Sequence, residues 1–257
     1  MRTVVVTGSA SGIGAAVVRR LEESGATVVG VDLHDALVTA DLSTESGRTE
    51  AVARAAERGG GRVDAVVACA GLGPQVAPAG LLVRVNYFGA LAVLDGLLPA
   101  MVRAASEGYS PAAVAISSNS AGITPANGEL LGALADHDEA RAAAVADRLD
   151  GATVYGMTKL ALARAVRRRA KQWGEDGVRL NAVAPGPVET PLLQGGLDDP
   201  VLGPLISALP VPLGRRASPE EIAGAVAFLL DPGNGFVHGS ILFVDGGSDA
   251  LLRPDVV

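Results

Sequence analysis

The sequence predicts an α/β fold, a single doubly wound domain with a parallel sheet flanked by helices. Short β-branched runs alternate with Ala-rich helical stretches along the chain, and this alternation implies parallel strands joined by helices packed on both sheet faces. The strand runs are continuously apolar, as expected of strands covered on both sides. With 257 residues and 49% apolar content, the chain can bury one large core. No repeat, low-complexity tract or linker divides it, so residues 1–257 read as one domain.

Residues 3–6 form the first strand, which runs into Thr7-Gly8-Ser9-Ala10-Ser11-Gly12-Ile13-Gly14. A helix over 13–24 follows, closed by Gly25 at its C-terminal end. Residues 27–32 are the second strand and 38–40 a short third piece. Residues 44–58 are helical, ending in a run of glycines, and 64–69 are the next strand, followed by a loop at Gly71-Leu72-Gly73-Pro74. A helix over 82–98 leads to a strand over 112–117. A long helix over 154–174 leads to a strand over 179–184. Ser218-Pro219-Glu220-Glu221 combines an N-cap serine, a proline at the first helical position and a glutamate closing a capping box; that helix runs to residue 230, and 241–244 is the last strand. Two segments break the rhythm. Residues 126–150, Ala-rich and acidic, predict one or two inserted helices, and 190–216, with prolines and glycines among apolar positions, predict a substrate lid.

Composition excludes several function classes. The net charge of −7 and the lack of a basic run argue against nucleic acid as a partner. Arg167-Arg168-Arg169 reads as the solvated face of a helix. A single cysteine, Cys69, allows no internal disulfide and suggests a reducing compartment; its apolar strand makes it a buried, inert thiol. The N-terminus leads straight into a strand without a leader pattern, and no apolar run is long enough for a bilayer. A cytoplasmic protein with no membrane partner and no metal site is expected.

Tyr155-Gly156-Met157-Thr158-Lys159 holds one of only two lysines in the chain. Tyr155 and Lys159 fall on one face in the first turn of the long helix. An ammonium beside a phenol lowers the phenol pKa, and such a phenol can exchange a proton with an alcohol oxygen. By itself the spacing fits a surface tyrosine beside a solvated lysine better, and the rest of the chain supplies the context. The turn over Gly8, Ser11, Gly12, Ile13 and Gly14 lies between a strand and a helix. Its glycines let the backbone approach a pyrophosphate, and the helix N-terminus offers free N–H groups. The spacing departs from the usual Gly-x-Gly-x-x-Gly fingerprint. Asp32, ending the second strand, can bond ribose hydroxyls and repel a 2′-phosphate; no Arg or Lys lies near it, so NAD is expected over NADP, with a turn or cap residue as the rival reading. Asp41, followed by Leu42, either meets the adenine amino group or caps the helix near Thr44.

The glycine turn, the Ile116-Ser117-Ser118 strand end and the Tyr155/Lys159 pair occur together and in order. This constellation resembles the short-chain dehydrogenase/reductases over nearly the whole chain. Further matches are Val85-Asn86-Tyr87-Phe88-Gly89, Pro185-Gly186-Pro187-Val188-Glu189-Thr190 and Asp245-Gly246-Gly247. The resemblance implies a Rossmann-type domain and hydride transfer between nicotinamide and a carbonyl or secondary alcohol. It implies that Tyr155 is the proton carrier, that Lys159 tunes it and holds the nicotinamide ribose, that Ser118 supports the substrate oxygen, and that Asn86 holds a water in a relay to Lys159. A helix-kink amide satisfied by backbone is the alternative for Asn86. Ala70 and Gly71 would contact the adenosine side through backbone, and Pro185, Gly186, Val188 and Thr190 would frame the nicotinamide. Where relatives carry Asn-Asn-Ala-Gly, this chain has Ala68-Cys69-Ala70-Gly71, which removes two side-chain amides that stabilise the sheet.

Asp32, Ala40-Asp41-Leu42-Ser43, the loop from Cys69 through Gln75, Trp173-Gly174-Glu175 and the insertion resemble a narrower bacterial subgroup, the 3α-hydroxysteroid dehydrogenase/carbonyl reductases. That implies NAD and a 3α-hydroxy- or 3-oxosteroid, with Leu192, Leu193, Leu197, Val201, Leu202, Leu205, Ile206 and Leu209 either lining an apolar pocket or merely packing the lid. The alternatives are another apolar or aryl alcohol, or a nucleotide-binding module without chemistry. The family resemblance also implies a homo-oligomer. The insertion would either block one subunit face, favouring a dimer through another, or roof the substrate site.

Overall fold

The computed structural model describes residues 2–256. In the first half, β1 (Thr3–Thr7), α1 (Gly12–Glu23), β2 (Thr27–Asp32), β3 (Val38–Thr39) and α2 (Glu45–Arg58) lead to β4 (Ala65–Ala68). A continuous helical rod follows, built of α3 (Gly80–Leu82), a π-helical turn (Val83–Gly89) and α4 (Ala90–Ser106). After β5 (Ala112–Ile116) come α5 (Ser120–Ile123), α6 (Gly128–Ala135), α7 (Glu139–Ala146) and α8 (Gly151–Glu175). Then β6 (Arg179–Pro185), α9 (Pro191–Asp198), α10 (Leu202–Ser207), α11 (Pro219–Leu230), β7 (Ile241–Val244) and α12 (Ser248–Leu252) complete the chain.

All seven strands are parallel, in the order β3-β2-β1-β4-β5-β6-β7. Chain direction across the sheet reverses between β1 and β4, and such a switch point opens a crevice at the carboxyl ends of the strands. Successive residues point to opposite faces: Val5 joins the core under α2, α4 and α8, whereas Val4 and Val6 join the core under α1 and α11. The first core centres on Leu94, Met157, Leu162 and Trp173, the second on Val17, Leu21, Ile222 and Val226. The predicted capping box at Ser218 is present, with reciprocal bonds to Glu221. The other end of α11 is capped by Arg179 of β6, whose guanidinium donates to the carbonyls of Leu229, Leu230 and Asp231, a cation placed where the helix dipole is negative.

Some boundaries differ from the sequence reading. The helix predicted to stop at 98 runs through Pro99 to Ser106. Proline removes one N–H, but the carbonyl it orphans belongs to exposed Asp95, while Leu97, Met101 and Ala104 stay buried. The whole rod, Gly80–Ser106, has 27 residues, and its most apolar 18-residue stretch has a mean hydropathy of 1.6. By length and composition alone it passes for a membrane span. Its apolar side chains, Leu82, Val83, Leu91, Leu94 and Leu97 among them, are instead buried in the core. The long helix starts at Gly151, because Asp150 is its N-cap and accepts the Thr153 N–H at 2.8 Å; Tyr155 is therefore in the second turn. The insertion is two helices, α6 and α7, pinned to α2 by the Arg48–Glu139 ion pair at 2.7 Å.

Candidate active site

The crevice is shaped first by glycines. Gly8 has a φ of +68°, and a Cβ built there would lie 2.8 Å from the Ala70 backbone. A Cβ at Gly14 would collide with the Gly8 carbonyl oxygen. Only a bare backbone lets the turn after β1 press against the end of β4. The Ala68–Gly71 stretch is tied to β1 by Thr7, whose Oγ1 accepts the N–H groups of Cys69 and Ala70, both at 3.1 Å. Asp32 holds the turn from the other side. Its Oδ2 accepts the Ala10 N–H at 2.9 Å and its Oδ1 the Leu33 N–H at 2.7 Å, which leaves each oxygen a further lone pair. Asp41 accepts the Ser43 N–H at 2.9 Å. The α2 cap is Thr44, which accepts the Gly47 N–H at 3.0 Å, so Asp41 is not the cap.

At the end of β5 two adjacent serines divide the work. Ser117 Oγ donates to the Lys159 carbonyl at 2.9 Å and fixes α8 to the sheet. Ser118 Oγ accepts the Ser120 N–H at 3.2 Å and interacts with the Tyr155 phenol, lowering its pKa. Lys159 Nζ donates to the Ile116 carbonyl at 2.9 Å and lies 5.7 Å from the Tyr155 ring centroid. Burial drives the Lys159 ammonium down to about 8. Burial also pushes the Tyr155 phenol up, outweighing Ser118. The Cys69 thiol is pushed up to about 12 by burial, so it stays protonated at neutral pH.

Asn86 sits in the π turn, fully buried. Its Oδ1 accepts the Leu72 N–H at 2.7 Å and its Nδ2 donates to the Leu72 carbonyl at 3.0 Å. The side chain thus clasps the loop after β4, in the manner of the backbone-satisfied alternative. A Cβ built on Gly71 would lie 3.4 Å from Asn86 Oδ1 and 3.5 Å from Lys159 Nζ, so the three residues converge.

These groups share one cavity of about 480 Å³. The glycine turn with Ser11 and Ile13 lines it, as do Asp32, Asp41, Leu42, Ala70 and Gly71. Ser118, Tyr155, Lys159, Pro185, Gly186, Val188 and Thr190 complete that wall, leaving Asn86 as the one proposed site residue outside the lining. Leu192, Leu193, Leu202, Leu205, Ile206 and Leu209 close the opposite side, while Leu197 and Val201 do not reach it. No residue of 126–150 lines the cavity, so the insertion does not roof it. The sequence reading missed Asn119, Ser120, Thr124 and Ala152 of the lining; their place depends on α5 and the start of α8, which no local pattern marked.

Two family models match, one described as short chain dehydrogenase over residues 2–130 and one as enoyl-(acyl carrier protein) reductase over residues 139–249. Among known proteins, the chain is 46% identical to the 3-alpha-hydroxysteroid dehydrogenase/carbonyl reductase of Comamonas testosteroni, over 99% of both chains. It is 34% identical to the cis-4-hydroxycyclohexanecarboxylate dehydrogenase of Sinomonas cyclohexanicum, over 97% of both. The crystal structure of the 3-alpha-hydroxysteroid dehydrogenase from Pseudomonas sp. B-0831 complexed with NADH superposes with a TM-score of 0.93 at 46% identity, covering 99% of this chain and all of that one. Motif order, sheet topology and similarity over the full length agree, and the chain belongs to the short-chain dehydrogenase/reductase family.

Proposed function

We propose that the chain interconverts a secondary alcohol and a ketone with NAD(H), and that its substrates are 3α-hydroxysteroids and the matching 3-oxosteroids. The observation that supports this reading is one cavity shared by a nucleotide cradle, the Ser118–Tyr155–Lys159 group and an apolar lid. The cradle fits a dinucleotide: glycines admit a pyrophosphate to the N-terminus of α1, and Asp32 keeps lone pairs for ribose hydroxyls. Gly8, Ser11, Gly12, Ile13 and Gly14 would hold the pyrophosphate, Asp41 and Leu42 the adenine, and Ala70 and Gly71 the adenosine side through backbone. Pro185, Gly186, Val188 and Thr190 would hold the nicotinamide end.

NAD, when bound, supplies the hydride acceptor. Tyr155 takes the proton of the substrate hydroxyl, and Ser118 donates to the substrate oxygen. Lys159 keeps positive charge beside Tyr155 and would hold the nicotinamide ribose hydroxyls. Asn86 holds the Leu72 loop in place and, as the family resemblance implies, would hold a water in a relay to Lys159. The complete set of proton-handling residues supports an enzyme over a binding module, which needs no such relay. A relative named for a hydroxycyclohexanecarboxylate favours, as a second reading, a smaller alicyclic alcohol. We place the protein in the cytoplasm, as a homodimer.

Purified protein mixed with NAD and androsterone is expected to form NADH, followed by its absorbance, with little NADPH when NADP replaces NAD. Oxidation of cyclohexanol without any steroid signal would discard the steroid assignment and keep the dehydrogenase.

A further inference from the structure

We infer that Thr124 recognises a second oxygen on the substrate, so that the preferred substrates carry a hydroxyl or carbonyl besides the one that reacts; this rests on the dehydrogenase reading above. Thr124 follows α5 and lies flat against the helix that carries Tyr155. A Cβ built on Gly156, the residue after Tyr155, would collide with Thr124 Oγ1 and lie 2.5 Å from its Cβ. Glycine at that position is therefore the seat of the threonine, which lines the cavity from there.

The neighbouring hydroxyls are engaged. Ser117 is bonded to the Lys159 carbonyl, Thr158 to the Tyr155 carbonyl and Thr190 to the Leu193 N–H. Thr124 Oγ1 makes no hydrogen bond among the described residues. The same segment carries two more unengaged groups, Asn119 Nδ2 and Ser120 Oγ, both buried without a partner. Asn119 is only 5% exposed, and both residues line this cavity. Across from this polar wall stands the leucine-rich lid. A substrate with one oxygen engages Tyr155 and Ser118 and leaves Thr124 desolvated and unpaired, an arrangement that selects against it. Lys159 is the one cation lining the cavity among the described residues, so a neutral oxygen fits this wall better than a carboxylate.

The test uses matched pairs, cyclohexanol against 1,4-cyclohexanediol and 5α-androstan-3α-ol against androsterone, with NAD. The wild-type chain is expected to prefer the two-oxygen member of at least one pair by about tenfold in kcat/KM, the weight of one well-made hydrogen bond. Thr124→Val is expected to abolish that ratio through KM, and Thr124→Ser to restore it, which separates the hydroxyl from packing. An unchanged ratio in Thr124→Val overturns the inference and leaves the dehydrogenase standing. Calorimetric binding of cyclohexanone and 1,4-cyclohexanedione to the protein with NADH gives the ratio independently of turnover. Selective binding without turnover sinks the dehydrogenase reading alone, and absence of binding by either ketone overturns both.

Discussion

Lys159 shows how a residue proposed for function can oppose stability. Its ammonium is buried against the Ile116 carbonyl, and desolvation lowers its pKa from 10.5 to about 8. Below about pH 8 both folded and unfolded chains hold this proton, and the folded chain bears the full desolvation cost. Between about 8 and 10.5 the unfolded chain still binds a proton that the folded chain has released, so stability rises with pH across that window. Lys159→Met should therefore stabilise the fold at pH 7 by about 3 kcal/mol, with the gain fading by pH 10.5. Urea unfolding at both pH values measures this, and a variant less stable at pH 7 would show that the bond to Ile116 outweighs the cost. Tyr155→Phe should retain NAD binding and lose turnover by roughly 10²-fold or more; full activity would remove Tyr155 from the chemistry. Asp32→Ala should lower the NAD over NADP preference, and unchanged selectivity would leave Asp32 only its turn-holding bond to Ala10. The Tyr155/Lys159 pair was legible because i, i+4 spacing places it without knowledge of the fold. Thr124 and the division between Ser117 and Ser118 were not legible from the residues themselves, since both follow from which strand and helix meet.

The π turn is the element on which the site's geometry depends. It sets Asn86 against Leu72, so one amide side chain satisfies both backbone groups of a buried loop residue. Asn86→Ala should leave those two groups unpaired and destabilise the chain by roughly 2–5 kcal/mol, read by thermal or urea unfolding. A loss of turnover at unchanged stability would favour a relay role over a clasp. Continuous apolar runs marked each strand, and the Ser218 signature marked α11 correctly because capping is local chemistry. The continuation of α4 through Pro99 could not be read this way, since it depends on exposed Asp95 facing solvent while Leu97 and Met101 face the core. The lid helices α9 and α10 were obscured by glycines and prolines, yet Thr190 caps α9 by accepting the Leu193 N–H at 3.2 Å, with Pro191 at its first position. That signal was present in the sequence and was read only as an irregular lid.

At the scale of the molecule, the insertion and the bare sheet edge are the features on which the proposed homodimer is tested. Helices α6 and α7 cover the start of α8 and the π turn, and the buried Arg48 guanidinium ties them to α2 through Glu139. The face they occupy is the one that the family resemblance assigns to a subunit interface in many tetramers. At the other end of the sheet β7 is an edge strand, with each residue partly exposed, and Phe236 is fully exposed, with Phe228 half-exposed on α11. An unpaired strand edge flanked by bare aromatic rings is costly in water and invites a second copy. Light scattering should give twice the mass of one chain, and Phe236→Asp should shift the protein toward monomer at micromolar concentration while keeping its fold by circular dichroism. A tetramer would mean that the insertion leaves its face open to assembly. A wild-type monomer would overturn the dimer and fit the short length of β7, which has only four residues with which to pair.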